Sequence, residues 1–199
     1  AQARLLEERM IMESLPYNVV GGTNFYSRME IKDILAYLKT VDSGRDDVAV
    51  RRILNVPRRG IGNATMEKIA DYAQLHEIGL FAAMEEADGI MGLGRAAAKL
   101  RPFVALIESL RERRSRMTIA ELIQEIVEKT EYREYLQDND DEGGDDRIAN
   151  VDELISKAAS YEEHADEPSL SGFLEEVALV ADIDEVVEGS AYVVLMTLH

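Results

Sequence analysis

Five basic residues crowd into one short stretch of an otherwise acidic chain: Arg51, Arg52, Arg58, Arg59 and Lys68, with Glu67 the one acid among them. Inside it lies Pro57-Arg58-Arg59-Gly60-Ile61-Gly62-Asn63-Ala64-Thr65. Glycines on either side of an apolar residue permit positive φ and let a partner approach bare backbone. Ile61 anchors such a turn in a core. A helix opening near Thr65 would then present unpaired N–H groups and the positive end of its dipole. Phosphate is the ligand those groups suit, and flanking arginines add charge-assisted hydrogen bonds. This is helix-hairpin-helix chemistry, binding duplex backbone without reading bases. The candidate contacts are Arg58, Arg59, Gly60, Ile61, Gly62, Thr65 and Lys68, with Arg59 expected to serve the phosphate and not the fold. An ordinary turn between two helices is the plainer alternative that Gly-Ile-Gly alone leaves open.

The rest of the chain offers little chemistry. Gly89-Ile90-Met91-Gly92-Leu93-Gly94-Arg95 repeats the glycine pattern more weakly. With no strand before it and no acidic partner after it, it is not a dinucleotide fingerprint and reads as a loop before a helix. There is no phosphate-binding loop ending Gly-Lys-Ser/Thr, no His-Glu-x-x-His and no nucleophile elbow, so neither a catalytic set nor a metal site is expected. His76 and His164 fall in acid-rich helical surroundings and read as surface residues. Asn63-Ala64-Thr65 matches a glycosylation sequon but follows from the turn chemistry. The run from Asp138 to Asp146 reads as a solvated acidic loop.

The elements that would position the glycine turn are mostly helices. Leu5, Leu6, Met10 and Ile11 have helical spacing up to Pro16, and Tyr17-Asn18-Val19-Val20 reads as a short strand before Gly21-Gly22. Arg28 to Val41 follows as an amphipathic helix with Ile31, Ile34, Leu35 and Leu38 on one side. Helices are then predicted from Asp46 or Asp47 to Asn55, about Thr65 to His76, and Leu80 to Ala87. Others run from Arg95 to Arg116 with a possible break at Pro102, and from Thr118, with Glu121 completing a capping box. Arg147 to Glu163 and Ser169 to Ala181 are two more, and Ala191 to Thr197 is a closing strand. The order is α/β, then a long helical block, then a strand. The fold class is mainly α, with a helical domain inserted into a small, incomplete α/β portion.

Composition sets the limits. The 199 residues hold 22 Lys and Arg against 39 Asp and Glu, a net charge of −17, with 46% hydrophobic residues and no cysteine. That hydrophobic share excludes global disorder, and no apolar run reaches the length of a membrane span. Without cysteine there is neither a disulfide framework nor a thiolate zinc site, which fits a cytoplasmic protein. Net negative charge opposes nucleic-acid binding everywhere except at the basic stretch. The start resembles neither a signal nor a transit peptide, and both ends read as the middle of something longer.

Taken in order, several segments resemble the UvrD/Rep/PcrA group of superfamily 1 helicases. Ala1-Gln2-Ala3-Arg4-Leu5-Leu6-Glu7-Glu8, followed by Pro16-Tyr17-Asn18-Val19-Val20-Gly21-Gly22, is similar to the family's Asn-Ala-Gln-Ser-Arg segment and the strand after it. Phe25-Tyr26-Ser27-Arg28-Met29-Glu30-Ile31-Lys32-Asp33 is similar to its Phe-x-x-Arg-x-Glu-Ile-Lys-Asp element, and Pro57 to Gly62 to its Gly-Ile-Gly hairpin. Phe173 to Val180 and Val194 to His199 resemble two later stretches. Ala3 stands where the family has Ser, and Asn24 where relatives often carry a basic residue.

The resemblance implies that residues 1–41 and 189–199 belong to a second RecA-like motor domain and 42–188 to the helical accessory domain called 2B. It implies a parent ATP-dependent DNA helicase moving 3′ to 5′, acting in repair or replication. ATP and Mg²⁺ would be held by that parent and no cofactor by this chain, which should be inactive as an ATPase alone. The implied partners are duplex DNA at the hairpin, single-stranded DNA at the motor portion, the rest of the helicase chain and repair proteins, with no membrane. Arg4, Phe25, Thr197 and His199 are the implied contacts to the single strand or to motor coupling. Two other classes remain open at this point. One is a stand-alone helix-hairpin-helix DNA-binding module, the other an acidic helical protein-interaction domain.

Overall fold

The computed structural model describes residues 9–10, 17–20, 25–138, 144–185 and 193–196. Two short strands, β1 (Tyr17–Val20) and β2 (Val193–Met196), pair in parallel, with Tyr17 opposite Val193 and Val20 opposite Met196. A parallel pair cannot be closed by a tight turn and needs a long crossover. Here that connection is the entire helical block. Among the described residues the fold is mainly α.

Helix α1 (Met29–Asp42) is the centre of the block. The sequence pattern predicts one apolar side, but the structure buries Ile31, Ile34, Leu35, Ala36, Tyr37, Leu38 and Val41 together with Glu30, Asp33 and Thr40. The reason is position. Helices α2 (Asp47–Ile53), α5 (Arg95–Arg113), α6 (Ile119–Lys129), α8 (Gly144–His164) and α9 (Leu170–Glu185) all pack on it, so only Met29, Lys32 and Lys39 are left exposed to water. Its buried polar groups are therefore paired. Thr40 Oγ1 donates to the Ala36 carbonyl at 2.8 Å, and Asn150 Nδ2 donates to Glu30 at 2.6 Å. Asp33 accepts from Arg52 Nε at 2.6 Å and from the Tyr132 hydroxyl at 2.7 Å. Burial pushes the Asp33 carboxyl above its ordinary pKa, against the pull of those two donors. Arg28 donates to Asn150 in turn. Arg28, Glu30 and Asp33 thus fasten α1 to α2, α8 and the helix carrying Tyr132.

The remaining elements follow local signals with two exceptions. Asp46 caps α2 by accepting from Ala49 N, and Thr118 with Glu121 forms the expected capping box on α6. Helices α3 (Asn63–His76) and α4 (Leu80–Glu85) lie between. Pro102 does not break α5: it and Ala98, whose carbonyl its ring leaves unpaired, are both on the exposed side. A short helix α7 (Tyr132–Asp138) has no counterpart in the sequence reading. It begins where Glu131 takes a left-handed φ of 53°, a turn that neither Gly nor Pro announces. No helix among the described residues is long and apolar enough to cross a membrane.

Candidate nucleic-acid interface

Between α2 and α3 the chain makes the glycine turn. Ile61 is buried at 6% exposure and pins it to the core, as its flanking pattern predicts. The two glycines are not equivalent. Gly60 has φ of 68°, where a side chain would be strained, whereas Gly62 at φ −90° and ψ 168° is ordinary extended backbone. Asn55, at the end of the preceding turn, holds the loop through Oδ1, which accepts from Arg59 N at 2.8 Å and Ile61 N at 3.3 Å.

Arg59 differs from the expectation. Its guanidinium turns inward and donates to the carbonyls of Ile53, Leu54, Val56 and Pro57 at 2.8 to 3.2 Å, and to the Tyr37 hydroxyl at 2.6 Å. It also lies over the Phe103 ring, 5.2 Å from the centroid. The Tyr37 hydroxyl donates in turn to the Val56 carbonyl at 2.6 Å. The unpaired C-terminal carbonyls of α2 need donors, and a planar five-donor group supplies several at once. Arg59 therefore shapes the turn from inside. Arg52, committed to Asp33, is likewise part of the fold. Arg58 is exposed, but it borders a shallow cleft shared with Glu131, Glu134 and Asp138.

At the start of α3 the position is reversed. Thr65 N and Met66 N both donate to the Gly62 carbonyl, at 3.0 and 3.2 Å. No acceptor among the described residues meets the N–H of Gly62, Asn63 or Ala64, and no side chain caps this helix. A Cβ placed on Gly62 would meet nothing within 4 Å. Gly60, Gly62, Asn63 and Ala64 are all exposed, and Thr65 is half-buried behind them.

The weaker glycine pattern proves to be the neighbour of the stronger one. Leu93 is buried between Gly92 (φ 83°) and Gly94 (φ 50°), and α5 starts directly after, as α3 does after Gly62. The two turns are braced reciprocally. Lys68 on α3 donates to the Gly92 carbonyl at 2.6 Å, and Lys99 on α5 donates to the Gly60 carbonyl at 2.9 Å. The sequence reading gave Lys68 a phosphate role and missed Lys99, which arrives from 39 residues further along.

A Gly-Ile-Gly turn between two helices is what the resemblance to UvrD-like proteins implied, and the family described as the UvrD-like helicase C-terminal domain matches residues 1–199. The chain belongs to the UvrD-like helicase C-terminal domain family. It is similar to the ATP-dependent DNA helicase PcrA of Bacillus subtilis, 42% identical over 205 residues, with all of this chain and 28% of that protein covered. PcrA of Staphylococcus aureus is 40% identical over 201 residues, covering all of this chain and 27% of that protein. PcrA of Staphylococcus epidermidis is 39% identical over the same length. The chain spans little more than a quarter of the curated relatives it matches.

Of the residues expected near single-stranded DNA in this family member, Arg4, Thr197 and His199 lie outside the described residues. Phe25 is half-buried at the foot of α1, edge-on to Tyr26 with centroids 5.1 Å apart. Arg28 and Lys157 both approach its ring, at 5.8 and 5.2 Å. His76 and His164 are exposed, as expected.

Proposed function

We propose that this chain is the duplex-contacting portion of an ATP-dependent DNA helicase that moves 3′ to 5′ in repair or replication. In this reading residues 42–188 form the 2B accessory domain, and 1–41 with 189–199 belong to the second RecA-like motor domain. The observation that supports duplex contact is the uncapped start of α3: three N–H groups with no acceptor among the described residues, behind exposed glycines. A phosphate there would complete the N–H groups and meet the positive end of the dipole. Arg59 contributes by fixing the turn, and Gly60, Gly62, Asn63 and Ala64 by offering backbone. Single-stranded DNA would be handled at the motor portion, with Phe25 among its contacts. ATP and Mg²⁺ would be bound by the rest of the parent chain. Among the described residues no group of His, Cys, Asp or Glu could hold a metal ion, and the sequence has no phosphate-binding loop.

Fluorescence anisotropy with a short labelled duplex at low salt tests the proposal. One turn on a protein of net charge −17 should bind weakly, with Kd no better than about 10⁻⁴ to 10⁻⁶ M at physiological salt and no preference for sequence. Gly62→Asp places a carboxylate over the same N–H groups and should abolish binding while leaving the fold intact. Equal binding by the wild type and Gly62→Asp would remove the turn from the interface.

A further inference from the structure

We infer that Lys99, on α5, is a phosphate-binding cation of the Gly60–Gly62 turn, and so supplies the charge that Arg59 does not. The inference rests on the duplex-contact reading proposed above.

The first observation is what Lys99 is bonded to. Its Nζ donates to the Gly60 carbonyl at 2.9 Å, and no carboxylate pairs with it among the described residues. An ammonium has three donors, so two remain for solvent or a ligand. Arg101, two residues further along the same helix and so on another side of it, is paired with Asp88 at 2.7 Å.

The second observation is where it stands. Lys99 is exposed and lies early in α5, a helix with no acidic residue in its first turn. The ammonium is fixed against the turn itself: a Cβ on Gly60 would lie 3.2 Å from Nζ. The charge therefore sits over the backbone that offers its N–H groups two residues later.

The third observation is that two of the three cations first credited with this task, Arg59 and Lys68, have other duties, and the third, Arg58, borders the acidic cleft of Glu131, Glu134 and Asp138. Arg59 is turned into the fold, and Lys68 reaches across to the Gly92 carbonyl of the other turn. Lys99 is the cation that the structure delivers to the turn from outside its own segment. A lysine suits this role because its compact point charge serves a phosphate without requiring bidentate geometry.

Duplex binding of the 199-residue chain across a range of salt concentrations separates this role from a mere brace. Each phosphate neutralised contributes about 0.9 to the slope of log K against log salt. Lys99→Gln keeps a donor for the Gly60 carbonyl but loses the charge. It should lower the magnitude of that slope by about one and weaken binding several-fold at low salt, with an unchanged unfolding midpoint. Lys99→Arg should restore both slope and affinity. Lys129→Gln, which removes one charge from the far end of α6, should leave the slope as it was. A wild-type slope in Lys99→Gln would overturn the inference while sparing the duplex reading. So would lower affinity at unchanged slope with a lowered midpoint, the mark of a brace alone. Absence of any salt-dependent binding by the wild type would overturn the duplex reading first and this inference with it.

Discussion

The start of α3 and the start of α6 pose one physical problem and answer it in opposite ways. Each helix opens with N–H groups that the helix itself cannot serve. On α6 the fold serves them. Thr118 Oγ1 accepts from Glu121 N at 3.1 Å, and Glu121 returns a bond to Thr118 N at 2.8 Å. Glu162, from α8, reaches Ile119 N at 2.7 Å and Ala120 N at 3.5 Å. On α3 a glycine stands at the cap and the groups behind it face solvent. A chain rich in carboxylates has placed none at this start, nor at the neighbouring start of α5. Against glycine a capping side chain is worth a few tenths of a kcal/mol, so this start is a small stability cost retained where an external anion can take the missing place.

The comparison can be broken most severely at Arg59. Arg59→Ala removes the Nη1 donor shared among four carbonyls and the bond to Tyr37, and should cost about 2–4 kcal/mol in urea unfolding, since hydrogen bonds to charged groups contribute about 1.5–3 each and the Leu54 and Pro57 carbonyls lose their partner. Arg59→Lys should recover little of it, because a point charge cannot span the same set. A wild-type midpoint would mean that solvent serves those carbonyls equally well.

Next in size is the closed helix start. Thr118→Ala should lose about 1 kcal/mol, and adding Glu162→Ala about 1–2 more, both measured by denaturant midpoint and neither changing duplex affinity. Loss of duplex binding in that double variant would show that the two ends are not separate in function.

The smallest effects distinguish the two glycines. Gly60→Ala should cost about 1 kcal/mol because its φ is positive and Lys99 crowds it. Gly62→Asp should gain a few tenths of a kcal/mol by supplying the missing cap. Paired thermal scans suffice, and equal midpoints for the two would erase the difference in backbone on which the turn's geometry rests.

Much of this was legible in residues. Asp46, Thr118 with Glu121, and the Gly-apolar-Gly pattern are local signals, and local signals specify local structure. What could not be read was where side chains go after the chain has folded. Arg59 looked free because its four carbonyl partners are invisible to periodicity, although they lie within six residues of it. Lys99 and Tyr37 belong to the turn only through tertiary packing. The burial of Glu30 and Asp33 reflects five helices converging on α1, which no window along α1 reveals. Nor does any Gly or Pro mark the kink at Glu131 that separates α6 from α7.

The parallel pairing of β1 with β2 has a kinetic consequence. Its partners are separated by almost the whole chain, so in an extended polymer they would meet rarely. Loop-closure entropy grows only with the logarithm of length, about 0.6 kcal/mol per doubling, yet it must be met before four-residue strands give anything in return. Collapse of the helices onto α1 shortens the effective distance between those ends. On that entropy argument the helical block is expected to condense first and the strands to pair last.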